Sequence, residues 1–98
     1  MAKPSEFTPN TSQLIKEAVE KYFDNSEFAI FLGGPEVGEE FSKLPFDHLL
    51  YTGSGRIAKK VLSQTAENIV PTTMELGGKS PTIISVSYTH LRAHETLE

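Results

Sequence analysis

The chain of 98 residues contains no cysteine. From its own side chains it can therefore form no disulfide, no thiolate metal site and no sulfur nucleophile. Basic residues are also few: nine Lys and Arg face 13 Asp and Glu, for a formal net charge of -4, and nine of those acids fall within residues 1–50. A chain without a broad basic face has nothing to track a phosphate backbone, so nucleic acid is not an expected partner. Long apolar runs are missing too. The longest, Phe28 to Leu32, is far short of the ~20 residues of a membrane-spanning helix. The opening MAKPSEF lacks the apolar centre of a signal peptide. A cytoplasmic protein with no membrane segment is expected, of a size that supports one small domain, or part of one, with marginal stability.

What is present is a regular alternation of patterns. Thr8-Pro9 offers a cap and a proline at the first helical position, and Leu14, Ile15, Ala18, Val19, Tyr22 and Phe23 recur at helical period, predicting a helix over 9–23. Asp24-Asn25-Ser26 breaks it. The continuous apolar run Phe28–Leu32 reads as a strand covered on both faces, as in parallel sheets. Gly33-Gly34-Pro35 turns the chain, a brief helix is predicted over 36–43, and His48–Tyr51 reads as a second strand. After Thr52-Gly53-Ser54-Gly55, the positions Ile57, Ala58, Val61, Leu62 and Ala66 mark an amphipathic helix over 55–68, closed by Asn68 and Pro71. Extended segments follow at 72–76 and 82–85. Helix and strand in alternation predict an α/β layer with parallel strands, whose ligands lie beyond the carboxyl ends of those strands.

Two places can carry chemistry. Tyr51-Thr52-Gly53-Ser54-Gly55 stands between a strand and a helix, where glycine allows close backbone approach and free N–H groups at the helix start favour an anion. By itself the pattern also fits a simple helix cap, and Arg56, Lys59 and Lys60 fit a solvated face. Thr73-Met74-Glu75-Leu76-Gly77-Gly78-Lys79 places one carboxylate at the end of an apolar approach, ahead of two glycines. Glu75 there can act as a general base; as a lone feature it reads more readily as a cap or as a salt-bridge partner of Lys79.

The run Met74-Glu75-Leu76-Gly77-Gly78-Lys79-Ser80-Pro81 resembles the glutamate signature of the NAD(P)-dependent aldehyde dehydrogenases. Lys3-Pro4-Ser5-Glu6 is similar to the family's Lys-Pro-x-Glu segment, and Tyr51-Thr52-Gly53-Ser54 to its Phe-Thr-Gly-Ser strand-turn. The resemblance covers residues 2–85. Gly33-Gly34-Pro35-Glu36 and Leu44-Pro45-Phe46-Asp47-His48 most resemble the coniferyl aldehyde and fatty aldehyde dehydrogenase branch. The resemblance implies an α/β fold: part of a Rossmann-like, parallel-sheet cofactor-binding domain over residues 1–85, truncated at both ends. It also implies oxidation of an aldehyde to a carboxylic acid. Lys3 and Glu6 match the positions that hold the adenosine ribose hydroxyls, and a carboxylate there would repel a 2′-phosphate, favouring NAD with NADP possible. Gly53 and Ser54 match the turn that faces the cofactor pyrophosphate. Glu75 matches the base that activates water against a thioester, and Leu76 and Gly77 match backbone beside the nicotinamide.

Departures qualify the match. Ala58 stands where the family usually has glycine, and Gly55 where threonine is common. The family's nucleophilic cysteine lies downstream of the glutamate motif and its oxyanion-hole Asn upstream of Lys-Pro-x-Glu. Neither is in this chain, so a fragment inactive alone is expected, from a full-length enzyme that is a homo-oligomer acting on a small aldehyde. Residues 86–98 depart from the family pattern and read as a non-native tail; His90 and His94, at i and i+4, supply two ligands of the three or four a zinc site needs, and no metal site is expected. The alternative is a small non-catalytic nucleotide-binding or interaction module.

Overall fold

The computed structural model describes residues 1–86; His90, His94 and all but the first residue of the tail lie outside the described residues. The first helix, α1 (Pro9–Tyr22), begins with proline at its first turn, where the ring's fixed φ suits the helix and its missing N–H breaks no bond. The Thr8 side chain makes no capping bond; its carbonyl accepts the Ser12 N–H at 2.9 Å. Of the apolar stripe only Val19 is buried, together with Ser12, while Leu14 is 66 % and Tyr22 72 % exposed. The chain then reverses at Asp24, whose Oδ1 accepts the Ser26 N–H at 2.9 Å in a side-chain-closed turn. Phe23 and Phe28 clasp its two arms edge to face, with centroids 5.7 Å apart.

The Phe28–Leu32 run is not a full strand. It makes one parallel bridge, Ala2 to Ile30, with Ala2 N–H donating to the Ala29 carbonyl and Phe31 N–H to the Ala2 carbonyl, both at 2.9 Å. A ladder needs a partner along its length, and here the partner is a single residue. Nor is the run covered on both faces, since only Ile30 is buried and Phe31 is exposed. Gly33 follows at φ 149°; a Cβ there would stand 2.8 Å from Val37 Cβ, so the turn into the next helix requires glycine. That helix, α2 (Pro35–Ser42), again starts on proline.

The remainder is a β–α–β unit. Strand β1 (Leu49–Thr52) leads to α3 (Gly55–Thr65), a 3₁₀ turn over Ala66–Asn68, and β2 (Thr72–Glu75). The two strands are parallel, paired from Leu49 with Thr72 to Thr52 with Glu75. The strand expected at 48–51 thus pairs with the extended segment expected at 72–76. The expected helix over 55–68 tightens to 3₁₀ after Thr65. Leu49, Val61 and Val70 form the core, flanked by Phe41, Phe46, Ile57 and Met74, and Ala58 is buried beneath α3. The Phe41 ring lies tilted against Phe46 and Phe31, with centroids 4.9 and 6.3 Å away, carrying the apolar contact toward the first half. Asn68 Nδ2 donates to the Lys43 carbonyl at 2.8 Å, tying the end of α3 to that of α2. His48 Nε2 lies 2.9 Å from Thr73 Oγ1, a cross-strand contact that occupies the ring. The expected extended segment 82–85 carries no ladder, and Ile83 is 93 % exposed.

One residue is strained. Ile69 takes the left-handed conformation, φ 52° and ψ 42°, where a β-branched side chain is an outlier, and it is 87 % exposed. Replacing it with Asn, which tolerates that conformation, should stabilise the chain by about 1 kcal/mol. A higher urea midpoint for Ile69→Asn is the expected result; a lower one would mean that the isoleucine side chain contributes packing that outweighs the strain.

Candidate functional site

Parallel pairing brings the carboxyl ends of β1 and β2 to the same edge. Thr52 is opposite Glu75, and just past the ladder the Gly53 N–H donates to the Glu75 carbonyl at 3.1 Å. The turn between β1 and α3 and the glutamate at the end of β2 are therefore joined by their backbones, although Gly53 and Glu75 are 22 positions apart in sequence.

Within that turn Ser54 is the N-cap of α3. Its side chain accepts the Ile57 N–H at 3.3 Å and its carbonyl the Ala58 N–H at 2.9 Å. Neither Gly55 N–H nor Arg56 N–H finds an acceptor among the described residues. Two unpaired amides at a helix start, with the helix dipole behind them, suit an anion. The Tyr51 ring folds back over Gly53, its Oη 3.5 Å from the Ser54 carbonyl, and a Cβ on Gly53 would run into that hydroxyl. Gly55 has open space where a Cβ would be, so a larger residue would fit there. Ala58, 3 % exposed, shows that the helix accommodates a methyl at its position.

Glu75 itself is exposed. Among the described residues it forms no ion pair with Lys79; the ion pairs there are Lys3–Glu6, Lys16–Glu20 and Lys43–Glu40. Beyond it Leu76 is 46 % exposed, and a Cβ at Gly77 or Gly78 would meet nothing within 4 Å. Nothing in the described chain requires glycine at either position.

Lys3 and Glu6 come together elsewhere, with Lys3 Nζ 3.0 Å from Glu6 Oε2. A hydrogen bond to its own backbone amide, and then the Lys3 ammonium, hold the Glu6 carboxyl below its ordinary value of 4.5. Glu6, though not Lys3, lines a cleft of about 300 Å³ together with Ser5, Ser12, Gln13, Leu32 and Gly33 among others. Three separate parts of the sequence thus meet: the segment before α1, its first turn, and the turn after the Phe28–Leu32 run. Glu6 and Lys3 were marked by sequence; Ser12 was not, because a polar helix residue reads as solvated until the fold buries it, and Gln13, which stays exposed, and Leu32, which ends an apolar run, carry no local sign of a cleft. Among the described residues no group of three His, Asp or Glu could hold a metal ion, and no helix is long and apolar enough to cross a membrane.

The chain is similar to known proteins along most of its length. The model of the aldehyde dehydrogenase family matches residues 1–94. A Caulobacter vibrioides protein named as a probable coniferyl aldehyde dehydrogenase is 59 % identical over 85 residues, covering 87 % of this chain and 18 % of that protein. The coniferyl aldehyde dehydrogenase of Pseudomonas sp. strain HR199 is 53 % identical over 87 residues, covering 89 % and 18 %. A substrate-bound structure of Staphylococcus aureus AldH superposes with a TM-score of 0.77 at 43 % identity, over 81 % of this chain and 17 % of that one. The chain spans under one fifth of the length of these relatives. By fold, motif and family match, the chain belongs to the aldehyde dehydrogenase family.

Proposed function

We propose that this chain is the portion of an NAD-dependent aldehyde dehydrogenase that holds the cofactor and supplies the base for release of the acid product. The observation that carries the reading is the bond from Gly53 N–H to the Glu75 carbonyl, which fixes an anion-binding turn beside a carboxylate at one sheet edge. The residues present fit a dinucleotide. Gly55 and Arg56 amides, positioned by the Ser54 cap, take the pyrophosphate; the cleft at Lys3 and Glu6 takes the adenosine ribose, with Glu6 accepting from a hydroxyl and Lys3 donating to one. A carboxylate at that ribose disfavours a 2′-phosphate, which supports NAD over NADP. Bound NAD would supply the hydride acceptor.

The chain's own part in the chemistry is proton transfer. Glu75 takes a proton from water as that water attacks the acyl carbon of a thioester, so that the C–O bond forms as the C–S bond breaks and the thiolate leaves. The thiol belongs to a cysteine this chain does not have. Leu76 and Gly77 present backbone, with no side chain in the way at Gly77 or Gly78, to the nicotinamide end of the cofactor. The two coniferyl aldehyde relatives support an aromatic enal of that type as substrate.

The 98-residue chain alone should yield no aldehyde-dependent NADH, because hydride transfer needs the hemithioacetal formed on a thiolate; production of NADH would refute the mechanism. A full-length enzyme carrying this segment can be made by placing it in the aligned stretch of the Caulobacter vibrioides relative. There Glu75→Gln should lower steady-state turnover by about 10²–10⁴-fold. Rapid mixing should show an NADH burst before the slow phase, whereas near-normal turnover would return Glu75 to a structural role.

A pH dependence follows from Glu6. Its ionised form is the one the fold favours, so the Lys3–Glu6 pairing is complete above pH 4.5 and is lost only as pH falls through the lowered value. The contribution of Glu6 to NAD affinity, read as the ratio of Kd values for Glu6→Gln and the parent, should be constant from pH 5 to 8 (a span on the order of three units). A ratio that changes steadily across that range would show that another group sets it.

A further inference from the structure

Resting on the ribose assignment above, we infer that Ser12 is a positioning residue of the cofactor cleft, setting affinity through the segment that carries Lys3 and Glu6. Ser12 lies in the first turns of α1 and is 4 % exposed. Its Oγ donates to the Ser5 carbonyl at 3.0 Å across seven residues. Ser5 sits between Lys3 and Glu6, and its own Oγ accepts the Phe7 N–H at 3.1 Å. The short loop is thereby closed twice, once on itself and once onto the helix. Ser12 also lines the cleft that Glu6 borders.

A buried hydroxyl needs a partner, and this one has a single acceptor on a different segment. Alanine would fit the same space but could not hold Ser5. The loop would then depend on its local bonds and on the Ala2 bridge upstream, and the Lys3–Glu6 pair would sample orientations in which the two side chains do not both face a ribose. Precision at a binding constellation depends on such support. Ser12 itself donates its only proton to Ser5, so it acts on the ligand through its neighbours.

The test is a double-mutant cycle in the full-length enzyme carrying this segment, with NAD as the probe and Kd as the readout. Ser12→Ala should weaken NAD binding about five- to tenfold, the worth of one hydrogen bond, and raise the KM for NAD more than it lowers kcat. In the Glu6→Gln background the same change should cost under about twofold, because its route to the ligand has been removed. Ser12→Cys, which keeps the volume and a weak donor, should fall between. A structural role alone would lower the unfolding midpoint and multiply Kd equally in both backgrounds, which would overturn the inference. If Glu6→Gln weakens NAD binding and Ser12→Ala does not, only the Ser12 assignment fails. If Glu6→Gln itself has no effect, the ribose reading fails and takes the Ser12 assignment with it.

Discussion

The parallel register of β1 and β2 is the constraint on which the rest depends. Pairing Thr52 with Glu75 ends both strands at one edge and lets the Gly53 amide close onto the Glu75 carbonyl. A slip of β2 by one residue would turn Glu75 to the other face and carry Met74 away from the core against which it packs. The register is held from beneath by Leu49, Val61 and Val70 and from outside by the contact between His48 and Thr73. Packing and site are thus one arrangement: the apolar residues that hold the strand pairing also bring the start of α3 and Glu75 to one edge.

The core that does this is small. No large side chain among the described residues is fully buried, and Leu14, Tyr22, Ile69 and Ile83 are largely exposed. Apolar area left in water contributes nothing to stability, which makes local devices matter more here. Proline starts on α1 and α2, the Ser54 cap, the Asp24 turn and the Asn68 bond to Lys43 are each modest, yet they fix helix ends that the core does not reach. The Ser12 bond to Ser5 belongs to the same class and stands at the cleft.

Much of this was legible in the sequence where the pattern is local. The helical period of Ile57, Ala58, Val61 and Leu62, the proline at position 9 and the Gly53-Ser54 turn each have a cause within a few residues, and α1, α3 and the cap appear where those causes put them. Phe28–Leu32 was misread because its conformation depends on a partner far away: five apolar residues look like a buried strand, but only Ala2 pairs with them. The partner of β1 was also beyond local reading, since pairing with 72–75 is a property of the crossover through α3. At the candidate site the charged residues announced themselves, while Ser12 and Gln13 gave no sign, their place in the cleft depending on how α1 meets the Lys3–Glu6 loop.

In the function proposed above, one dinucleotide spans the cleft beside Glu6 and the β1–α3 turn and reaches the glutamate edge. Titrating the ¹⁵N-labelled chain with NAD while following its backbone amides tests this most directly. Glu6, Gly55, Arg56 and Gly77 should shift together along a single binding curve, with the Gly55 and Arg56 amides, which lack acceptors among the described residues, moving most. Shifts confined to other parts of the chain, or separate curves for the cleft and the turn, would contradict it.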